Sequence, residues 1–260
     1  MITEHTLGRR RVLGLLTGAG AVALGACRSN SDTNTTTDGA GEATTTTRSG
    51  GSGSVGEIPS ETVGPFPADG TNGPNLLTEP GVVRSDIRTS IGSGSATAQG
   101  VPLHIDLRIV DASTNNPLSG AAVYIWQCDR ESRYSIYEEG VTEENYLRGV
   151  QVADGSGQLR FISIFPGAYA GRFPHMHFEV FESAAKATTG RNARKISQLA
   201  LPESACRDVY KTAGYGDSQM NLAETNLSSD LVFRDGSDRQ LATVTRAAGG
   251  AYTASLVVGV

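Results

Sequence analysis

The sequence predicts an all-β fold, an antiparallel β-sandwich preceded by a disordered tether. Three observations carry that prediction. Apolar residues recur at every second position in several short runs, clusters of Gly, Pro, Asn and Ser separate those runs, and no long stretch has a helical period. Short strands divided by turn formers argue for one sandwich domain over residues 57–260. The chain has 260 residues, enough for one or two domains, and its charge and hydrophobic content are ordinary for a soluble globular protein.

Ahead of the domain, residues 1–26 read as an export leader. Arg9, Arg10 and Arg11 precede a Gly/Ala/Leu-rich apolar stretch too short to span a bilayer comfortably. The arginines suggest the twin-arginine route, and Leu24-Gly25-Ala26-Cys27 resembles a bacterial lipobox, in which the cysteine becomes the lipidated first residue. An ordinary cleaved signal, with Cys27 incidental, is the competing reading. Residues 27–56 are Ser, Thr, Gly and Asn with scarcely an apolar side chain, a composition that buries too little surface to offset ordering. Such a tether lets a domain stand away from a membrane to which Cys27 is fixed. The leader carries three Arg and one Glu, so its removal takes the formal charge from −5 to −7. That excess of acid argues against nucleic acid as a partner.

The folded part opens with an extended segment, Ser60–Phe66 followed by the turn-rich 70–80. From Val101, Leu103, Ile105, Leu107 and Ile109 alternate with His104, Asp106 and Arg108, a half-buried strand with His104 on its solvated face. The turn cluster 112–120 leads to a second β-rich run, Ala121–Cys128, and the two read as a hairpin. Further strands are expected at Gln158–Ile164, in the stretch after Pro174, and around Gln198–Leu201, Gln240–Thr245 and Tyr252–Val258. Cys128 and Cys206 form an even pair in an exported chain, which favours a disulfide over two buried thiols.

The strand after Pro174 carries the chemistry. Met176, Phe178 and Val180 face a core, while His175, His177 and Glu179 share the opposite face, so two imidazoles lie side by side. Pro166 and Gly167 break the preceding run, and Tyr169 and Arg172 sit on the loop that leads into the pair. This is half of a metal site. No histidine follows His177, so a three-His zinc site is out of reach, and the remaining ligands must be anionic. Tyr134, Tyr137, Tyr146 and Tyr169 are the available phenols.

These residues also carry a family likeness. Val123-Tyr124-Ile125-Trp126-Gln127-Cys128-Asp129, Arg133-Tyr134, Tyr146-Leu147-Arg148-Gly149-Val150-Gln151, Phe165-Pro166-Gly167-Ala168-Tyr169 and Arg172-Phe173-Pro174-His175-Met176-His177 resemble the intradiol ring-cleavage dioxygenases. Within that family the likeness is to the exported branch, and it runs from about Ser60 to the C-terminus, with Glu61–Phe66 resembling the opening of the catalytic domain. The resemblance implies an Fe(III) held by Tyr134, Tyr169, His175 and His177. It further implies a releasable Tyr169, a charge-stabilising Arg172, an active-site Gln198 and a pocket wall drawn from Pro65, Phe66, Leu147 and Arg148. The implied reaction cleaves a catechol-type ring between its two hydroxyl-bearing carbons, with both atoms of O2 entering a cis,cis-muconate-type product. Ser132, where the family usually has Gly, and the five residues between Tyr169 and His175 are departures.

The donor set suits that ion. Phenolate is a hard anionic donor and imidazole a borderline one, a combination better matched to trivalent iron than to a soft or divalent metal. A strongly charged cation pulls a tyrosine well below its usual pKa of about 10. A phenol is also a base matched to a catechol proton, whereas a carboxylate is too weak by about 6 units. The implied partners are a small catechol-type molecule and O2, with membrane contact only through Cys27. Two other readings stay open at this level: an inactive surface-tethered binding module, and the same cage filled by zinc or copper.

Overall fold

The computed structural model describes residues 54–260; the leader, Cys27 and the tether as far as residue 53 lie outside the described residues. Along the chain run β1 (Pro102–Val110), β2 (Ala122–Trp126), β3 (Arg148–Val152), β4 (Gln158–Ile164), β5 (His175–Phe181) and β6 (Lys195–Ala200). Two short helices follow, α1 (Glu203–Val209) and α2 (Ser218–Ala223), and then β7 (Thr243–Arg246) and β8 (Tyr252–Gly259). The strands form two four-stranded sheets, ordered β4-β1-β8-β7 and β3-β2-β5-β6. The expected sandwich is thus the observed one, with one variation. All pairings are antiparallel except β1–β8, which is parallel and ties the first strand to the last.

Alternation explains how the sheets meet. Leu103, Ile105, Leu107 and Ile109 point inward from β1 and pack in one cluster with Val123, Ile125, Met176, Phe178 and Val180 of the facing sheet. Burying a side chain such as Phe178 completely contributes about 1.5–3 kcal/mol. The outward face of the second sheet is covered too, because Ala68, Leu76, Leu77 and Val82 of the opening segment pack on Tyr124, Trp126, Val150 and Phe181. Every residue of β2 and β5 is buried as a result. The polar face of β5 therefore sits in an enclosed layer rather than at a surface. Among the described residues no helix is long and apolar enough to cross a membrane.

Two expectations are corrected. The turn cluster after β1 does not close a hairpin: β1 pairs with β4 and β8, and β2 with β3 and β5, so the connection crosses from one sheet to the other. Asp111 shapes that crossing by accepting hydrogen bonds from the N–H and hydroxyl groups of both Ser113 and Thr114. Nor are Cys128 and Cys206 bridged. Both are free and buried in separate clusters, with their thiols directed at the carbonyls of Gly167 (3.5 Å) and Leu201 (3.8 Å). Burial raises the pKa of each, so the thiols are unreactive.

Candidate metal centre

Strand register builds the centre. On β5 His177 lies opposite Trp126 of β2 on one side and Gln198 of β6 on the other. The indole of Trp126 stacks on the His177 ring, centroids 5.0 Å apart and planes 9° from parallel, so the imidazole has a fixed backstop. At its Cε1 end the ring meets Gly64, where φ is +76° and an added Cβ would stand 3.0 Å from that atom. Glycine is the residue that admits both that conformation and that approach.

The two tyrosines arrive on neighbouring loops. Asp129 organises the first by accepting from the backbone N–H groups of Glu131 and Arg133 and from the Arg133 guanidinium. Ser132 sits at φ +68° there, which accounts physically for the glycine this position usually holds in the family it resembles. Gly167 of the second loop donates to the Asp129 carbonyl, joining the two loops. Next to it Ala168 is held by α2, its N–H by Ser218 Oγ and its carbonyl by Asn221.

Tyr134, Tyr169, Arg172, His175, His177 and Gln198 are all brought together. Tyr134 Oη lies 3.4 Å from Tyr169 Oη, Tyr169 Oη 3.0 Å from His175 Nε2, and the two Nε2 atoms 3.1 Å apart. His175 Nδ1–H donates to the Phe173 carbonyl at 2.6 Å, which leaves a lone pair on Nε2. Tyr169 Oη, His177 Nε2 and, at 3.3 Å, Arg172 Nη1 all converge on that single lone pair. Tyr169 and Arg172 already offer that lone pair two donors, and a cation at the point of convergence would serve all four ligand atoms. The 3.0–3.4 Å spacings are those of adjacent ligands on an ion with bonds of about 2.0–2.2 Å.

Electrostatics agree. Burial, reinforced by the Arg172 charge, lowers His175 to about 3; burial and then His175 lower His177. Both imidazoles are neutral donors. Burial raises Tyr134 well above the usual phenol range and Tyr169 to about 12, so ionising them takes a strong positive charge between them. Among the described residues no group of three His, Cys, Asp or Glu side chains is placed to hold an ion.

The other expected participants divide. Tyr137 is engaged elsewhere, accepting from the Ala68 N–H and donating to Asn72. Tyr146 donates to Asp129. Phe66 does flank the centre, 5.0 Å from the Tyr134 ring, and Pro65 beside it is exposed. Leu147 and Arg148 are not wall residues: Leu147 is buried with Val141 and Tyr146, and the Arg148 guanidinium is spent on Phe66, Pro67 and Ser135. Sequence reasoning missed Asp230, which binds Arg172 across 58 positions of chain and lies in an aperiodic stretch with no signal of its own. A surface groove of about 780 Å³ bordered by Asp106, Arg160 and Val257 shares none of these residues.

A family model described as a dioxygenase matches residues 73–193. No curated protein matches the chain. Among solved structures, an intradiol ring-cleavage dioxygenase from Tetranychus urticae is similar with a TM-score of 0.62 and 24% identity, over 78% of this chain and 94% of that one. A second solved dioxygenase aligns with a TM-score of 0.61 and 23% identity, over 78% and 93%. The fold is shared with both.

Proposed function

We propose that this chain, which resembles the intradiol ring-cleavage dioxygenases in its family match and its fold, is an iron-dependent dioxygenase that opens a catechol-type ring between its hydroxyl-bearing carbons. The observation that carries the reading is the convergence of two phenol oxygens and two imidazole nitrogens beside one guanidinium. Tyr134, Tyr169, His175 and His177 hold the ion. Fe(III) held there would supply Lewis acidity toward a catechol-type ring.

The residues then have distinct tasks. Tyr134 is 1% exposed and stays in place, whereas Tyr169 is half-buried on a loop bordered by the exposed Ala170 and Gly171. Tyr169, on the looser loop, is the phenol whose Oη would accept a proton from the incoming catechol, an exchange between oxygens of similar basicity. His175 keeps its tautomer through the Phe173 carbonyl, and Trp126 keeps water from the rear of His177. Arg172 stabilises negative charge as it develops on the ring oxygens. Gln198 accepts from Arg172 Nη2 at 2.6 Å and donates to the Thr62 carbonyl at 3.0 Å, joining the guanidinium to the opening segment. The leader and a lipidated Cys27 complete the proposal by placing the domain outside the cytoplasmic membrane.

The test is turnover under labelled oxygen. Purified mature protein with catechol, hydroxyquinol or protocatechuate under 18O2 should give a muconate-type diacid carrying both labelled atoms. A semialdehyde from cleavage beside the diol, or no oxygen uptake with any of the three, contradicts the proposal.

A further inference from the structure

The guanidinium of Arg172 is divided among three partners. Nε donates to Asp230 Oδ2 at 2.9 Å, Nη2 to Gln198 Oε1 at 2.6 Å, and Nη1 reaches His175 Nε2 at 3.3 Å. Asp230 is 0% exposed, and each contact of its two oxygens is an accepted hydrogen bond. Oδ2 also takes the Phe173 N–H at 2.6 Å, and Oδ1 takes those of Val232 (2.8 Å) and Phe233 (3.3 Å). Burial works to raise its pKa, but the Phe173 N–H and Arg172 outweigh that and hold the carboxylate ionised.

Those four donors join three parts of the centre. One is Arg172 itself. The second is Phe173, whose carbonyl fixes the His175 tautomer, and the third is Phe233, whose ring lies 6.5 Å from His175. A guanidinium is a rigid plane, so pinning Nε sets the direction in which the Nη edge points.

We infer that Asp230 is a positioning residue for the catechol site, acting through Arg172 to hold the Nη edge beside the donor cluster, where charge on the bound ring is stabilised. The inference rests on the dioxygenase reading and adds a residue that touches neither the substrate nor the four donor atoms. Asparagine is a poor replacement. Its single acceptor oxygen serves one side, and its NH2 must then face either the Arg172 Nε–H or the paired N–H groups of Val232 and Phe233.

The experiment is a double-mutant cycle on iron-loaded mature protein. Binding of 4-nitrocatechol is titrated anaerobically by absorbance in the wild type, Asp230→Asn, Arg172→Gln and the double variant, with iron content measured in each. Asp230→Asn is expected to weaken binding about tenfold or more beside Arg172, but less than about threefold once Arg172→Gln is present, at unchanged iron content. Equal losses in both backgrounds mean a purely structural carboxylate and overturn the inference. Asp230→Glu enters the same cycle if the Asn variant does not fold, and failure of both to fold assigns Asp230 to stability and overturns it equally. If the wild type binds neither iron nor 4-nitrocatechol, the dioxygenase reading itself falls.

Discussion

Replacing Gly64 with alanine should damage the centre without touching any donor atom. The backbone there has φ +76°, and the left-handed region costs an alanine roughly 1–2 kcal/mol. The new methyl would stand 3.0 Å from His177 Cε1 and 3.7 Å from Nδ1. The fully buried Trp126 stacked on the ring limits how far His177 can shift. Overpacking of this kind costs about 1–3 kcal/mol, which brings the expected loss to about 2–5 kcal/mol before relaxation. Relaxation falls on the opening segment, at the expense of the Thr62 to Gln198 hydrogen bond. Urea unfolding of metal-free protein reads the loss as a midpoint lowered by about 1 M or more at unchanged slope, and iron content should fall in parallel. Gly155→Ala is the control, since a Cβ there meets nothing within 4 Å, and its midpoint should hardly move. If Gly64→Ala behaves like that control and keeps its iron, the opening segment does not pack on His177 and the account of Gly64 at that ring is wrong.

Three other outcomes are expected. Glu179 is raised from 4.5 to about 9 by burial and then by Asp69, and apart from that neighbour neither of its oxygens has a partner. It keeps in the folded chain a proton that the unfolded chain releases, so this stabilisation is complete below about pH 4.5 and gone above about pH 9. The unfolding free energy of the wild type from urea titrations should fall across that window, by at most about 1.4 kcal/mol per pH unit, and Glu179→Gln should flatten it; parallel curves would refute the buried proton. For the thiols, alkylation of denatured, non-reduced protein should label Cys128 and Cys206 in full, and one linked peptide pair would refute free thiols. Cys27→Ser should move the protein from the membrane fraction to the soluble one, and continued membrane association would remove the lipid anchor from the proposal.

Legibility in the sequence followed the range of the physics. Strands β1 and β5 showed because their alternation is local, and the ligand candidates showed because their motifs are short and ordered. Strand β3 did not, since Arg148-Gly149-Val150-Gln151-Val152 has a glycine at its second position and no clean period, and it is buried at the start and exposed at the end. The false hairpin arose because the same turn chemistry that returns a chain along one sheet also passes it to the facing sheet. The parallel β1–β8 pairing joins the two ends of the domain and has no local signature. Counting cysteines gives parity but not position, so the expected disulfide failed. Asp230 was invisible because its role exists only once Arg172 is folded against it, and the burial of Glu179 was invisible because nothing in the sequence tells that the opening segment covers its face.

The most direct test of the four-donor centre is the visible spectrum and iron content of the wild type beside Tyr134→Phe. The buried Tyr134 phenol is a permanent ligand in this account, so removing one oxygen should remove both the metal and the tyrosinate-to-iron colour. The expected result is a wine-red wild type with stoichiometric iron and a colourless, iron-free variant that still folds. A variant with full iron and unchanged colour, or a wild type that is colourless and filled with zinc, would contradict it.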